Sequence, residues 1–177
     1  VQIPSPFVIT KNVISSNIEM TLENLDRDDG YPFKVAWCDS FSTGDSLGRG
    51  FVSMASWDRK SEDYPSRERV ERSLRPSKRV LDVFPSKPFW YCGRPFFGPR
   101  AIKKLNALIF HRARVSERFL VKEEMSRQLF NEFNFVHNRL PNMNDVYKPY
   151  GFVEIQPLIP RNAGHEAVRE LLQMCQR

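Results

Sequence analysis

Acidic residues are missing from the middle of this chain: between positions 83 and 116 there is no Asp or Glu. Cysteine is scarce as well. Cys38, Cys92 and Cys175 are widely spaced and form no Cys-x-x-Cys pair. An odd, scattered set of this kind argues against a disulfide framework and a thiolate zinc site, and for a reducing intracellular compartment, cytoplasm or nucleus. No run approaches the roughly 18 apolar residues that a membrane-spanning helix needs. The first residues, VQIPSPFVITKN, have neither a basic start nor a long apolar core, so they do not read as a secretory signal. His111, His137 and His165 sit in unrelated segments without ligand spacing, so no metal is expected. Internal repeats and heptads are lacking too, and nothing calls for a cofactor.

The window that lacks acids is crowded with other residues. It carries seven cations, Lys87, Arg94, Arg100, Lys103, Lys104, Arg112 and Arg114. It also carries the aromatics Phe84, Phe89, Trp90, Tyr91, Phe96, Phe97 and Phe110. Residues 1–57 are net −3, 58–82 net +2, 83–116 net +7 and 117–177 neutral, so the whole excess of +6 is confined to one stretch. Charge segregated in this way points to an anionic partner.

The 177 residues read as a single domain, with 58–82 a charged and mobile excursion in which fourteen of twenty-five residues are charged. Ile18, Met20 and Leu22 alternate with polar residues, which predicts a strand, followed by a turn at Asp26 to Gly30. Phe33, Val35 and Trp37 predict a second strand, and Phe51 to Trp57 a third after a Gly/Ser-rich connection. Pro65 and Pro76 bracket a short predicted helix over Ser66 to Leu74. Four prolines and two glycines in 84–99 predict an ordered loop or an edge. From Arg100 the pattern suits helix or strand. Ser116 is the predicted N-cap of a helix whose stripe is Val121, Met125, Leu129, Phe133 and Val136. A strand with Val153 and Ile155 inward follows, then a terminal helix capped by Asn162, with Ala167, Val168, Leu171, Leu172 and Cys175 on one face. Strands first and helices later make the class α+β: antiparallel strands in the N-terminal third, a basic aromatic Pro-rich loop in the middle and helices in the C-terminal half.

Cations neutralise phosphates and aromatic rings stack bases, so the middle window has the composition of a nucleic-acid surface. The expected phosphate contacts are Lys87, Arg94, Arg100, Lys103, Lys104, Arg112 and Arg114, and the expected stacking residues are Trp90, Tyr91 and Phe97. A helix starting at Gly98-Pro99 adds N–H donors near Lys103 and Lys104. The same residues suit an anionic membrane surface, with the aromatics at headgroup level, or a self-associating protein contact. Self-assembling structural proteins, such as viral matrix or coat proteins, combine these duties, an analogy of composition.

Gly44-Asp45-Ser46-Leu47 resembles the nucleophile block of GDSL-type serine hydrolases. The resemblance implies a nucleophilic Ser46, a late Asp-x-x-His and an Asn of the oxyanion hole. This chain offers Asn162-Ala163-Gly164-His165, with Asn where the carboxylate belongs, and Asn144-Asp145 as a loose match to the intermediate block. The motif lies in a Gly/Ser loop without a wound βαβ pattern, and a glycine-rich hairpin loop explains the same letters. Asp26, Asp28, Asp29 and Gly30 lack the spacing of a calcium loop and read as a solvated turn. Gly44, Gly48 and Gly50 are followed by no Gly-Lys-Ser/Thr and make no phosphate loop. The expectation is a non-enzymatic protein without a small-molecule substrate, holding RNA or another single strand within an assembly.

Overall fold

The computed structural model describes residues 4–60, 63–75, 78–80, 84–94, 98–119, 126–134, 142, 145, 147–148 and 156–176. The architecture is α+β, with a four-stranded antiparallel sheet in the N-terminal part and helices in the C-terminal half. The sheet order is β2-β3-β1-β6, from β1 (Phe7–Ser15), β2 (Phe33–Cys38), β3 (Gly50–Trp57) and β6 (Ser126–Leu129). A second ribbon pairs β4 (Arg79–Val80) with β5 (Phe84–Pro85).

Strand β1 is favoured by composition, since Val8, Ile9, Thr10, Val13 and Ile14 are all β-branched. The β2–β3 hairpin matches the predicted alternation, and its register runs from Phe33↔Ala55 to Cys38↔Gly50. Gly50 is required there, because a Cβ would stand 1.8 Å from the Trp37 carbonyl oxygen. Lys34 closes the Asp26–Gly30 turn by pairing with Asp29 at 2.9 Å, so an ammonium occupies the place beside that carboxylate.

Residues 18–22, predicted as a strand, instead belong to helix α1 (Ile18–Asp26). Ile18, Leu22 and Leu25 recur at helical spacing, and over so short a window both periods fit. Capping decides between them: the Asn17 side chain accepts from the Met20 N–H at 2.9 Å. Helix α2 (Arg67–Leu74) forms as predicted, with Ser66 Oγ accepting from the Arg69 N–H at 3.2 Å. The predicted Pro-rich loop is helical over α3 (Ser86–Gly93), because Pro88 falls in the first turn, where an N–H has no intrahelical partner. Helix α4 (Pro99–Phe119) resolves the ambiguity after Arg100. Ser116 lies inside it rather than capping a new helix. Leu129 is therefore in β6, and Phe133 is in the short α5 (Phe130–Asn134). In α6 (Gly164–Met174) the N-cap is Ala163, and Asn162 sits in the preceding 3₁₀ turn. Val121, Met125, Val136 and the predicted strand at Val153 and Ile155 lie outside the described residues.

Two compact units emerge, each assembled from three chain stretches. The first comprises Val1–Ile9, Trp57–Ala101 and Ser126–Glu154. Phe7, Val8, Trp90, Leu129 and Phe133 are buried in it. Arg127 lies 3.8 Å over the Phe7 ring and donates to the buried Asp58 at 2.8 Å. The charged segment is tied in here, through Arg69 over the same ring and Asn131 donating to Ser73 Oγ. The second comprises Thr10–Ser56, Ile102–Met125 and Ile155–Arg177. Ile18, Leu47, Val52, Met54, Ala55 and Phe110 are buried in it, and Arg169 and His165 of α6 pair with Glu19 and Asp26 of α1.

Candidate nucleic-acid interface

Helix α3 orients the aromatic part of the basic window. Its anchor is Trp90, only 4% exposed, with its ring edge-on to Phe89 at 4.9 Å, while Phe89 stacks on Phe84. Buried Ser86 fixes the first turn, its N–H donating to the Lys78 carbonyl and its Oγ accepting from Asn142 Nδ2 at 2.8 Å. Trp90 thus belongs to the core of the first unit, and its faces are filled by protein rather than offered to a base. The opposite side of the helix presents Lys87, Pro88, Tyr91 and Cys92, all exposed. Phe97, the third predicted stacking residue, lies outside the described residues.

Around Tyr91 the chain builds a groove of about 430 Å³ lined by Lys87, Pro88, Tyr91, Cys92, Arg94, Asp145 and Lys148. Arg94 sits 5.1 Å over the Tyr91 ring and donates from Nε to the Asp145 carbonyl at 2.9 Å. Asp145 pairs with Lys148 at 2.6 Å. Its carboxyl is held below the usual carboxylate range by the Lys148 hydrogen bond, and further by the charges of Lys148, Arg94 and Lys87. All three cations line the same groove as this carboxylate. Lys148 and Asp145 were not expected from the sequence, because they come from a segment about fifty residues downstream of α3.

In the second unit the cations Lys103, Lys104, Arg112 and Arg114 lie on helix α4, whose first residues, Arg100 among them, belong to the first unit. At 3.6 residues per turn, Lys103, Lys104, His111 and Arg114 fall within an arc of about 100°, with Arg100 one turn before them. All five are exposed, and the face beside the stripe, carrying Asn106, Ile109, Phe110 and Ala113, turns inward. Arg112 lies outside that arc, on the side of Leu105, Leu108 and Val115, which are themselves exposed.

A buried network holds α4 in this orientation. Asp39 Oδ2 accepts from Arg49 Nε and Nη2 at 3.2 and 3.1 Å, and Oδ1 accepts from the Phe41 N–H and from Asn106 Nδ2. The Arg49 guanidinium lies 4.9 Å over the Phe110 ring. Two α4 residues are thereby fixed to the β2–β3 connection. The signal for this pair is the hairpin register: Cys38↔Gly50 places residues 39 and 49 next in line.

The Gly44–Ser46 segment is a single 3₁₀ turn, and Gly48 has φ +64°, the left-handed region that favours glycine. His165 Nε2 lies 3.3 Å from Asp26 Oδ2. A second groove, of about 560 Å³, runs beside the turn between Asn17, Glu19, Asp45, Arg169 and Gln173. Among the described residues no three His, Cys, Asp or Glu converge as a metal site would, and no helix is long and apolar enough to cross a membrane.

No protein-family model and no curated protein matches the chain.

Proposed function

We propose that this protein is a non-enzymatic binder of single-stranded nucleic acid, RNA first, working within an assembly or ribonucleoprotein. The observation that carries the reading is the α4 stripe: Lys103, Lys104, His111 and Arg114 share one exposed face in a window without a single acid. Such a face meets successive phosphates of a flexible strand and releases their counterions. Arg100 and Arg112 extend the positive field, and Lys87 and Arg94 supply it around the exposed Tyr91. Trp90 is excluded from the stacking set by its burial. A reducing compartment, cytoplasm or nucleus, suits three free thiols of which Cys92 and Cys175 are exposed.

Fluorescence anisotropy with a labelled single-stranded RNA oligomer, against duplex of the same sequence, tests the reading. Tighter binding of the single strand supports it, and equal binding of both moves the contact to backbone charge alone. A second reading rests on Leu105, Leu108 and Val115, 42%, 65% and 52% exposed on α4. An apolar strip beside a basic one suits an anionic membrane or a second copy of the chain. Light scattering with and without anionic vesicles distinguishes these from a soluble RNA binder.

A further inference from the structure

We infer that the α3 groove is a nucleotide subsite, in which one base stacks on Tyr91 while the adjoining phosphate meets Lys87 and Arg94. The inference rests on the single-strand reading above and gives it a specific pocket. Its first support is the chemistry of the lining. The lining sets the apolar Pro88, Tyr91 and Cys92 beside Lys87, Arg94 and Lys148, with the carboxylate of Asp145 against these three cations, a net +2. A bare anion has no use for an exposed ring, and an apolar ligand has none for three cations; a nucleotide uses both. The groove's volume, about 430 Å³, lies in the range of small-ligand sites.

The second support is that the ring is held in advance. Tyr91 is 69% exposed, yet Arg94 covers it from one side, and Arg94 is itself fixed by the Asp145 carbonyl at 2.9 Å. A base arriving on the open side completes a guanidinium–tyrosine–base stack with little ordering to be done. Lys148 is engaged by Asp145, whereas Lys87 has no ion-pair partner among the described residues and is left to take a phosphate.

Cys92 makes the site testable, since its thiol lines the groove and is exposed, while Cys175, also exposed, lies at the end of α6. The full chain is titrated with a single-stranded RNA oligomer, occupancy is followed by anisotropy, and alkylation rates of both thiols are read by mass spectrometry. With RNA at about ten times the dissociation constant, Cys92 should react about tenfold more slowly and Cys175 at its free rate. Tyr91→Ala should weaken RNA binding about tenfold, the usual worth of one stacked base, and Tyr91→Phe should restore it. Absence of any anisotropy change overturns the single-strand reading and this inference together. RNA binding with Cys92 unprotected and Tyr91→Ala unaffected overturns the inference alone. Protection by inorganic phosphate or by anionic vesicles, but not by RNA, overturns it in favour of a phosphate or headgroup site.

Discussion

Asp39 and Arg49 face each other at the mouth of the β2–β3 hairpin, Oδ2 to Nη2 at 3.1 Å, with the carboxylate side chain only 2% exposed. Because Asn106 and Phe110 of α4 join the pair, it positions the helix that bears the basic stripe. Arg49→Ala strands a buried carboxylate and should cost about 3 kcal/mol, measured by urea unfolding. A loss below about 0.5 kcal/mol would show that the pair does not hold the hairpin to α4.

Gly50 and Ser46 separate the structural demands of the Gly44–Gly50 loop from its resemblance to a hydrolase. A Cβ at position 50 would meet the Trp37 carbonyl oxygen at 1.8 Å, so Gly50→Ala should cost about 3 kcal/mol. Ser46→Ala should stay within about 0.5 kcal/mol of the parent. Turnover of a generic ester by the parent chain should equal that of Ser46→Ala. A rate that vanishes in the variant would restore a serine nucleophile.

Burial pushes the Cys38 thiol above its ordinary value of 9.0, with a hydrogen bond from Thr21 opposing the shift. The fold therefore keeps the proton that the unfolded chain gives up first. Stability from this group is fully present below the unfolded value and is lost as pH rises past it through the folded value. Unfolding midpoints at about pH 8 and pH 10 should fall more steeply for the parent than for Cys38→Ala. In native protein Cys38 should alkylate more slowly than Cys92 or Cys175. Equal rates at all three would mean that the Cys38 thiol is open to solvent.

Asp145 is ionised throughout the neutral range, its carboxyl being held low by Lys148 and then by Arg94 and Lys87. It opposes phosphate entry while its backbone oxygen, not its side chain, holds Arg94. Asp145→Asn should tighten RNA binding and steepen the salt slope by about 0.7, one further single-strand contact. Weaker binding would show that the carboxylate itself is needed at the groove.

The hairpin and α2 were legible because their signals are local: alternation on either side of a turn, and a serine cap between two prolines. Helix α1 was misread because Ile18, Met20 and Leu22 satisfy period two while Ile18, Leu22 and Leu25 satisfy helical spacing, and only the Asn17 cap decides. Pro88 misled for a related reason, since a proline breaks a helix in its interior and not in its first turn. The charge segregation was plain in the chain, but a single face is a property of helix α4, which aligns Lys103, Lys104, His111 and Arg114 and sets Arg112 apart. Of the groove, the sequence offered Lys87, Tyr91 and Arg94 but not Asp145 and Lys148 beside them, because the link from Arg94 to Asp145 spans 51 positions. Nor does composition separate Trp90, which is buried, from Tyr91, which is exposed; adjacent residues on a helix point about 100° apart.

The α4 stripe is tested by the salt dependence of RNA affinity in the parent and in Lys103→Ala/Lys104→Ala/Arg114→Ala. If these cations meet phosphates, the logarithm of affinity falls steeply with the logarithm of salt, and the variant's slope is shallower by about 2. Identical slopes, or no binding at low salt, would contradict the reading and leave the stripe as a solvated or membrane-facing surface.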